Sequence, residues 1–185
     1  MKRIVEDDAW EYLLVVDLEA TCALGNIPVG EIEVIEIGAF IVQRSDYQII
    51  DSFHSFVRPV IHPEITPFCT RLTHITQEDV QDAPIFKDML TAIDTQLLKK
   101  YPAVFASWTD FDWKQLRRES LKKEAPFPFS TTSIDVQKKF KQKQQDKQLR
   151  SVRKALEHVG LEFEGVEHSA KADAYNTARL VPYSM

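Results

Sequence analysis

Apolar residues along the first third of the chain follow a pattern that predicts strands. Three β-rich segments, Tyr12–Val16, Val34–Val42 and Tyr47–Val57, precede any strong helical pattern. The polar residues 43–46 separate the last two segments, which predicts an antiparallel pair joined by a short turn. A fourth strand, short and buried, is predicted over Ala103–Ser107.

Helical spacing of apolar residues predicts four helices in the remainder of the chain. They are expected from Pro84 to about Lys100, over Asp110–Lys123 with Leu116 and Leu121 inward, from Leu149 to Gly160, and over Ser169–Val181. Pro84 would stand near the first position of its helix, where a missing N–H is tolerated. The connection from Pro59 to Asp82 is predicted to be mostly irregular, with one capped turn at Thr76–Asp79.

The order of these elements, β-β-β-α-β-α-α-α, predicts the fold class. It indicates an α/β protein with a mixed sheet of about five strands, in which both pairing senses occur, flanked by helices on both faces. No repeat, linker or break in composition divides the 185 residues. A single domain over residues 1–185 is therefore expected.

Composition excludes several classes of protein. The apolar fraction of 44% and the charged fraction of 28% are ordinary for a globular domain. Two cysteines without a cluster argue against a disulfide scaffold or a zinc site and fit a reducing compartment, so a cytoplasmic location is expected. Residues Met1–Asp8 lack the apolar region of a secretory signal, and no apolar stretch approaches the length of a membrane span.

Charge is unevenly distributed along the chain. The net charge is −5, yet residues 138–154 hold eight Lys or Arg and one Asp, a local +7 that leaves −12 for the remainder. Clustered acids together with a basic helix are what a metal-dependent enzyme acting on a polyanion needs. A solvated face rich in Lys and Gln is the alternative interpretation of the basic stretch.

Two carboxylates follow the first apolar strand. Asp17 and Glu19 are separated by one residue, so strand alternation points them to the same face. No Lys, Arg or His lies between Glu6 and Glu36 to neutralise them. A hard divalent cation such as Mg²⁺ or Mn²⁺, which prefers oxygen ligands, would satisfy both groups. The alternative is a strand end with two solvated acids.

Acids return towards the predicted sheet at two later places. Asp110 and Asp112 follow the fourth strand, in Trp-Thr-Asp-Phe-Asp, and His168 precedes Asp173 at the start of the last helix. Together with Asp17-Leu-Glu-Ala-Thr, these motifs form an ordered set. The chain resembles the DEDDh subgroup of DnaQ-like 3′→5′ exonucleases, which have a ribonuclease-H-like fold.

Within that subgroup the chain is most similar to Eri-type exoribonuclease domains. The finer resemblance rests on four stretches: Asp17–Cys22, Val34–Ala39, Phe68–Val80 and Asp82–Pro84. It spans about residues 12–181, nearly the whole chain. The resemblance implies a metal-dependent exonuclease that acts on 3′ ends of single-stranded nucleic acid, favours RNA and releases 5′-mononucleotides.

The resemblance also implies a role for each motif residue. Asp17 would bridge two divalent metal ions, Mg²⁺ or Mn²⁺. Glu19 and Asp173 would complete the site of the first ion, and Asp112 would hold the second, directly or through water. His168 would be the general base that takes a proton from the attacking water, which suits an imidazole near neutral pH.

Further residues are assigned to the substrate by the same resemblance. Ala20 and Thr21 would hold the terminal sugar and base, although a local hydroxyl–backbone bond is the alternative for Thr21. Thr73 and His74 would face the base, and His74 stands where the family usually has Gly. Trp113 would stack on a base or, alternatively, pack beneath its helix.

Several alternatives stay open at this point. Asp110 competes with Asp112 for the second metal position, or caps the helix. Asp135 either supports the site from behind or caps a helix. The chain could also trim DNA by the same chemistry, or bind RNA without cutting it. Targeting would come from the domain itself or from a protein partner, and the sequence does not indicate an oligomeric state.

Overall fold

A five-stranded mixed sheet forms the centre of the computed structural model, which describes residues 10–25 and 27–185. The strands are β1 Tyr12–Ala20, β2 Val34–Gln43, β3 Ile49–Phe56, β4 Val104–Ser107 and β5 Ser133–Asp135. Their order is β3-β2-β1-β4-β5, with β1, β2 and β3 antiparallel and β1, β4 and β5 parallel. The predicted fold class is confirmed. The prediction on a secretory signal, over Met1–Asp8, lies outside the described residues.

Helices cover both faces of this sheet, as predicted. They are α1 Pro67–Thr73, α2 Gln77–Gln81, α3 Phe86–Ile93 with a π-helical continuation Asp94–Leu98, α4 Phe111–Lys122, α5 Val136–Lys143, α6 Val152–His158 and α7 Ala170–Leu180. One face packs against Phe140, Leu156 and Leu180 of the last three helices. The other packs against Leu90 of α3 and Leu116 of α4. None of the described helices has the length and apolar character needed to cross a membrane.

Alternation along β1 decides where its acids point. Leu13 and Val15 pack in the core beneath α5, α6 and α7, whereas Leu14 and Val16 pack in the opposite core. Asp17 and Glu19 lie on the same face of β1 as Leu13 and Val15, beyond the end of the core beneath the last three helices. The apolar run therefore buries the strand and delivers both carboxylates to one face.

The connection between β3 and α3 is more regular than the sequence predicts. The expectation of a mostly irregular segment over Pro59–Asp82 is wrong, because α1 and α2 form within it. Thr66 caps α1 by accepting a hydrogen bond from the Cys69 N–H at 3.0 Å. The capped turn at Thr76–Asp79 is confirmed as the start of α2. Pro84 lies two residues before Phe86, the first residue of α3, so the helix begins two residues later than predicted.

Two leucines in the predicted helices are exposed. Leu121 is 73% exposed, because the buried positions that follow Leu116 on α4 are Glu119 and Ser120. Leu149 is 53% exposed and lies before α6, which begins only after its cap Ser151. The predicted helix start at Leu149 is therefore wrong.

The predicted element order also lacks β5 and α5. β5 has three residues, too few for alternation to be visible in the sequence. α5 consists mostly of lysines and glutamines and buries only Val136 and Phe140. Two apolar positions are too few to distinguish the helix from the polar segment that follows it. The basic stretch 138–154 is thus not one helix but α5, a loop and the start of α6.

Candidate active site

A pocket of about 290 Å³ opens at the C-terminal end of β1. Its lining comprises Asp17, Leu18, Glu19, Trp108, Thr109, Phe111, Asp112, Val152, His168 and Asp173. The structure therefore brings all five predicted catalytic and metal-binding residues to one place. Asp110 does not line the pocket; its carboxylate pairs with Lys114 at 2.6 Å on the surface of α4. The geometry favours Asp112 over Asp110.

Three of the carboxylates form a tight group. Oxygen atoms of Asp17, Glu19 and Asp173 lie within 4.8 Å of one another. Asp112 approaches from the first turn of α4, where its Oδ1 accepts a hydrogen bond from the Leu18 N–H at 3.2 Å. This bond ties the start of α4 to the end of β1 and orients the Asp112 carboxylate.

Close packing of α7 on β2 brings Asp173 to the pocket. Gly38 is the register partner of Asp17, and a Cβ atom there would lie 2.2 Å from the Ala170 carbonyl oxygen. The buried Glu36 accepts hydrogen bonds from the Ala170 N–H at 3.0 Å and from the Ser169 hydroxyl at 3.3 Å. The first turn of α7 is therefore held directly against the strand beside Asp17.

His168 stands at the rim of the pocket on a left-handed turn. Its φ angle is 61°, and its backbone N–H donates to Asp173 Oδ2 at 2.8 Å. The residue is exposed, so the imidazole is accessible from solvent. The turn places a base and a carboxylate, five residues apart, at the same opening.

Burial and mutual repulsion raise the pKa values of these four carboxyl groups. Burial, reinforced by Asp112 and Asp173, raises the pKa of Asp17 well above its ordinary value. Burial and the carboxylate of Asp173 raise the pKa of Glu19 to about 8. Burial likewise raises the pKa of Asp112 to about 7 and that of Asp173 to about 6, although the His168 N–H bond opposes the second shift.

This donor set fits a divalent cation. Every candidate ligand is a carboxylate oxygen, which hard ions such as Mg²⁺ and Mn²⁺ prefer. No Lys or Arg is among the described residues that line the pocket. Four acids with raised pKa values, with no Lys or Arg among the described lining residues to offset their charge, fit a site for a divalent cation.

The predicted substrate residues lie beside the pocket rather than in its lining. Thr21 lines a neighbouring cavity of about 410 Å³. Its Oγ1 accepts a hydrogen bond from the Glu33 N–H at 3.0 Å, so the hydroxyl–backbone bond predicted as the alternative forms, but with a residue twelve positions away and not locally. The Ala20 carbonyl accepts from the Cys69 thiol at 3.7 Å. Thr73 donates its hydroxyl to the Cys69 carbonyl at 2.9 Å, and His74 ends α1 with a φ of 63°.

Trp113 packs away from the acids. Its ring contacts Phe127 edge-on, and its Nε1 donates to the Ser130 carbonyl at 3.1 Å. This is the packing alternative, and Trp113 is not among the pocket residues. Asp135 caps α5 by accepting from the Lys138 N–H at 2.9 Å, so its capping alternative is confirmed.

The sequence predictions do not include Phe111, which lines the pocket, or Glu36, which supports it from behind. Phe111 is 47% exposed and lines the pocket next to Asp112, which leaves an aromatic face for a ligand. Glu36 is buried in β2 and fixes the start of α7. A charged residue inside an otherwise apolar strand was the available signal, since buried charges need partners.

Known proteins resemble this chain in sequence and in fold. A family model described as Exonuclease (RNase_T) matches residues 14–181. The chain is 31% identical to the 3′-5′ exonuclease eri1 of Schizosaccharomyces pombe, over 92% of this chain and 66% of that protein. It is 30% identical to 3′-5′ exoribonuclease 1 of Homo sapiens, over 94% of this chain and 52% of that protein. The chain thus spans between half and two thirds of these relatives.

A solved structure extends the likeness to three dimensions. The nuclease domain of 3′hExo, a DEDDh family member bound to rAMP, superposes with a TM-score of 0.83 at 28% identity, covering 95% of this chain and 92% of that one. The DEDDh type of site implies the use of divalent metal, which the carboxylate group fits. The chain therefore belongs to the RNase T family of exonucleases and has the fold of its DEDDh members.

Proposed function

We propose that this protein is a metal-dependent 3′→5′ exonuclease that hydrolyses single-stranded nucleic acid, favours RNA and releases 5′-mononucleotides. The convergence of Asp17, Glu19 and Asp173 within 4.8 Å, with His168 at the rim, carries the proposal. Phosphodiester hydrolysis needs a nucleophile, a base and compensation for charge at phosphorus. Water would be the nucleophile, His168 would be the base, and the carboxylates would hold the cations that compensate the charge.

Two divalent ions, Mg²⁺ or Mn²⁺, are the proposed cofactors. Asp17 would be shared between them, Glu19 and Asp173 would complete the first site, and Asp112 would serve the second. When bound, such ions lower the pKa of water and stabilise the leaving oxygen. The Leu18 N–H bond fixes Asp112 beforehand, so little reorganisation is needed on binding.

His168 is the proposed general base. Its imidazole is exposed at the opening where water would approach the phosphorus, and no second histidine lines the described pocket. The hydrogen bond from its backbone to Asp173 couples the turn to the carboxylate group. The imidazole would take a proton from the attacking water and leave the carboxylates free to act as ligands.

Phe111 extends the proposed substrate contacts. Its exposed ring, next to Asp112, would stack on a base without sequence preference. Ala20 and Thr21 would meet the terminal sugar, since the Thr21 hydroxyl still has its own hydrogen to donate. Thr73 and His74 stay proposed contacts at the end of α1, the helix whose Cys69 lines the neighbouring cavity.

RNA is the favoured substrate because relatives at 30% identity include proteins named exoribonucleases. A domain with the same chemistry could trim DNA, and the substrate comparison below decides between them. One pocket holds four acids and a histidine, a complete set of the proposed catalytic groups, which argues against a domain that binds RNA without cutting it. We treat residues 1–185 as one exonuclease domain, expect a cytoplasmic location, and leave a targeting partner as part of the proposal.

The decisive experiment compares end-labelled single-stranded RNA and DNA of matched sequence. A time course in Mg²⁺, Mn²⁺ or EDTA should show a ladder that shortens from the 3′ end, faster for RNA, with no cleavage in EDTA. A 3′-phosphate should block the reaction, because the terminal sugar must enter beside the carboxylates. Early internal cuts would contradict the polarity, and equal rates on both substrates would contradict the preference for RNA.

A further inference from the structure

The basic stretch 138–154 presents two distinct faces on α5. Lys138, Lys141 and Gln142 are spaced three or four residues apart and therefore share one face. Lys139 and Lys143 lie on another face, where the Lys143 amine donates to the Pro182 carbonyl at 3.1 Å. Val136 and Phe140 anchor the third face in the core, so both charged faces are rigidly positioned.

The first of these faces borders a groove of about 500 Å³. Its lining comprises Lys138, Lys141, Gln142, Gln145, Asp146 and Leu149. Asp146 is paired with Arg150, and Lys138 pairs with Asp135 at 2.7 Å. No carboxylate pairs with Lys141 in the part of the chain that the structure describes. The exposed Leu149 adds an apolar wall to this cationic groove.

The groove and the acidic pocket are neighbours. Leu149 lines the groove and Val152 lines the pocket, and the three residue steps between them span at most about 11 Å. Two side chains hold this connecting segment, because Trp108 Nε1 and Gln137 Nε2 both donate to the Arg150 carbonyl, at 2.9 and 2.7 Å. This upper limit corresponds to at most about three stacked nucleotides at roughly 3.4 Å each.

The groove also lies on the side of the acidic pocket where the upstream part of a long substrate strand would run. Thr21 and its cavity adjoin α1, which packs on Ile35 of β2. In contrast, α5 follows β5, the edge strand on the other side of β1. An exonuclease that releases mononucleotides has one nucleotide beyond the scissile bond. The rest of the strand must leave on the other side of the pocket.

We propose that the groove formed by Lys138, Lys141, Gln142, Gln145 and Leu149 is a subsite for the substrate strand within about three nucleotides upstream of the cleaved bond. The inference rests on the proposed exonuclease function. Lys141 would contact a phosphate, and Leu149 would cover an unstacked base. Neutralisation of backbone charge beside an apolar surface gives affinity without sequence preference.

The test compares Lys141→Gln with Lys139→Gln, two equal charge changes on different faces of one helix. Wild type and both variants, as the full chain, are assayed on single-stranded RNAs of two to ten nucleotides, and kcat/KM is plotted against the length of the RNA. For wild type, kcat/KM should rise until the strand reaches the groove, at about four or five nucleotides. Lys141→Gln should lose roughly two- to fivefold on the longer substrates, the size of an exposed ion pair, and nothing on the dinucleotide.

Two further measurements sharpen the comparison. The affinity for a fluorescent ten-nucleotide RNA is measured in EDTA at several salt concentrations. The plot of log affinity against log salt should be less steep by about 0.7 for Lys141→Gln than for wild type. Lys139→Gln should keep the wild-type slope. Leu149→Ser should weaken binding of the long RNA without changing that slope, because it removes an apolar contact and no charge.

The outcomes separate the two proposals. Equal losses in Lys139→Gln and Lys141→Gln would indicate diffuse attraction and overturn the subsite. No loss in either variant would also overturn it and leave the groove to another partner, such as a protein. If wild type cleaves no RNA of any length but Lys141→Gln alone weakens RNA binding in EDTA, the exonuclease proposal fails and the groove stands as an RNA site.

Discussion

Asp17 shares its pocket with three other carboxyl groups, and burial raises its pKa well above the ordinary value. Asp17→Asn removes a charge that the apo protein accommodates poorly. We expect cleavage to be abolished, because the proposed shared metal ligand is lost, while the apo fold becomes more stable. Rates on labelled RNA and thermal unfolding in EDTA measure the two effects.

Asp110→Asn is the matched control for this substitution. Asp110 lies two residues before Asp112, but its carboxylate pairs with Lys114 on the surface. Its loss should change stability by no more than about 1 kcal/mol and leave the rate near that of wild type. Near-normal turnover in Asp17→Asn would contradict the bridging role, and a large rate loss in Asp110→Asn would reopen the choice between the two acids.

His168 should affect rate more than binding. Its imidazole borders the pocket but is not needed to hold a ligand in the ground state, so His168→Ala should lower kcat with a modest change in KM. Loss of a general base typically costs about 10²- to 10⁴-fold. Single-turnover rates at saturating Mn²⁺ measure this, across pH 6 to 9.

His158→Ala serves as the histidine control. His158 lies against Phe140 and does not line the pocket, so its removal should leave the pH–rate profile unchanged. If His168→Ala keeps both the full rate and the wild-type dependence on pH, the base is another group.

At the scale of elements, the close packing of α7 on β2 brings Asp173 to the other carboxylates of the pocket. A Cβ atom at Gly38 would lie 2.2 Å from the Ala170 carbonyl, so Gly38→Ala must push the helix away from the strand. We expect a destabilisation of about 1–3 kcal/mol, typical of overpacking, and loss of cleavage as Asp173 moves away from Asp17. Denaturant unfolding and RNA cleavage assays measure both.

Gly30→Ala is the corresponding control, because a Cβ atom there meets nothing within 4 Å. That variant should unfold and cleave like wild type. A Gly38→Ala protein with normal activity would show that the position of α7 tolerates a shift, contrary to the close packing with Ala170.

At the scale of the whole molecule, the weak acids link stability to pH. The pKa values of Glu19, Asp112 and Asp173 rise to about 8, 7 and 6 in the folded protein, from about 4 in the unfolded chain. The folded state therefore binds more protons than the unfolded state between pH 4 and 8. Without metal, the free energy of unfolding should fall as pH rises through this window. Melting temperatures in EDTA from pH 4 to 8.5 measure the trend.

Divalent metal should reverse the trend, because a cation replaces the protons on the same oxygens. Saturating Mn²⁺ should raise the melting temperature more at pH 8 than at pH 5, where protons compete. Asp17→Asn should reduce both the fall with pH and the gain from metal. Stability in EDTA that rises steadily to pH 8, or no response to Mn²⁺ at pH 8, would contradict a shared carboxylate site.

Local patterns in the sequence predict much of this arrangement. Alternation along β1 places Asp17 and Glu19 on one face, because that geometry depends only on neighbouring residues. The mixed sheet and helices on both faces also follow from the order of apolar segments. Short or weakly apolar elements such as α1, β5 and α5 were missed, since three to eight residues carry too little periodicity.

Tertiary structure alone decided how the separate motifs meet. Gly38 and Ala170 are distant in the sequence, and nothing local indicates that one must lack a side chain to seat the other. The same packing buries Glu36 beneath α7. Leu149 is exposed beside the groove because α6 begins only after its cap Ser151. Sequence periodicity reports which face of an element is apolar. Which elements touch, and at what distance, depends on packing between segments that only the folded chain brings together.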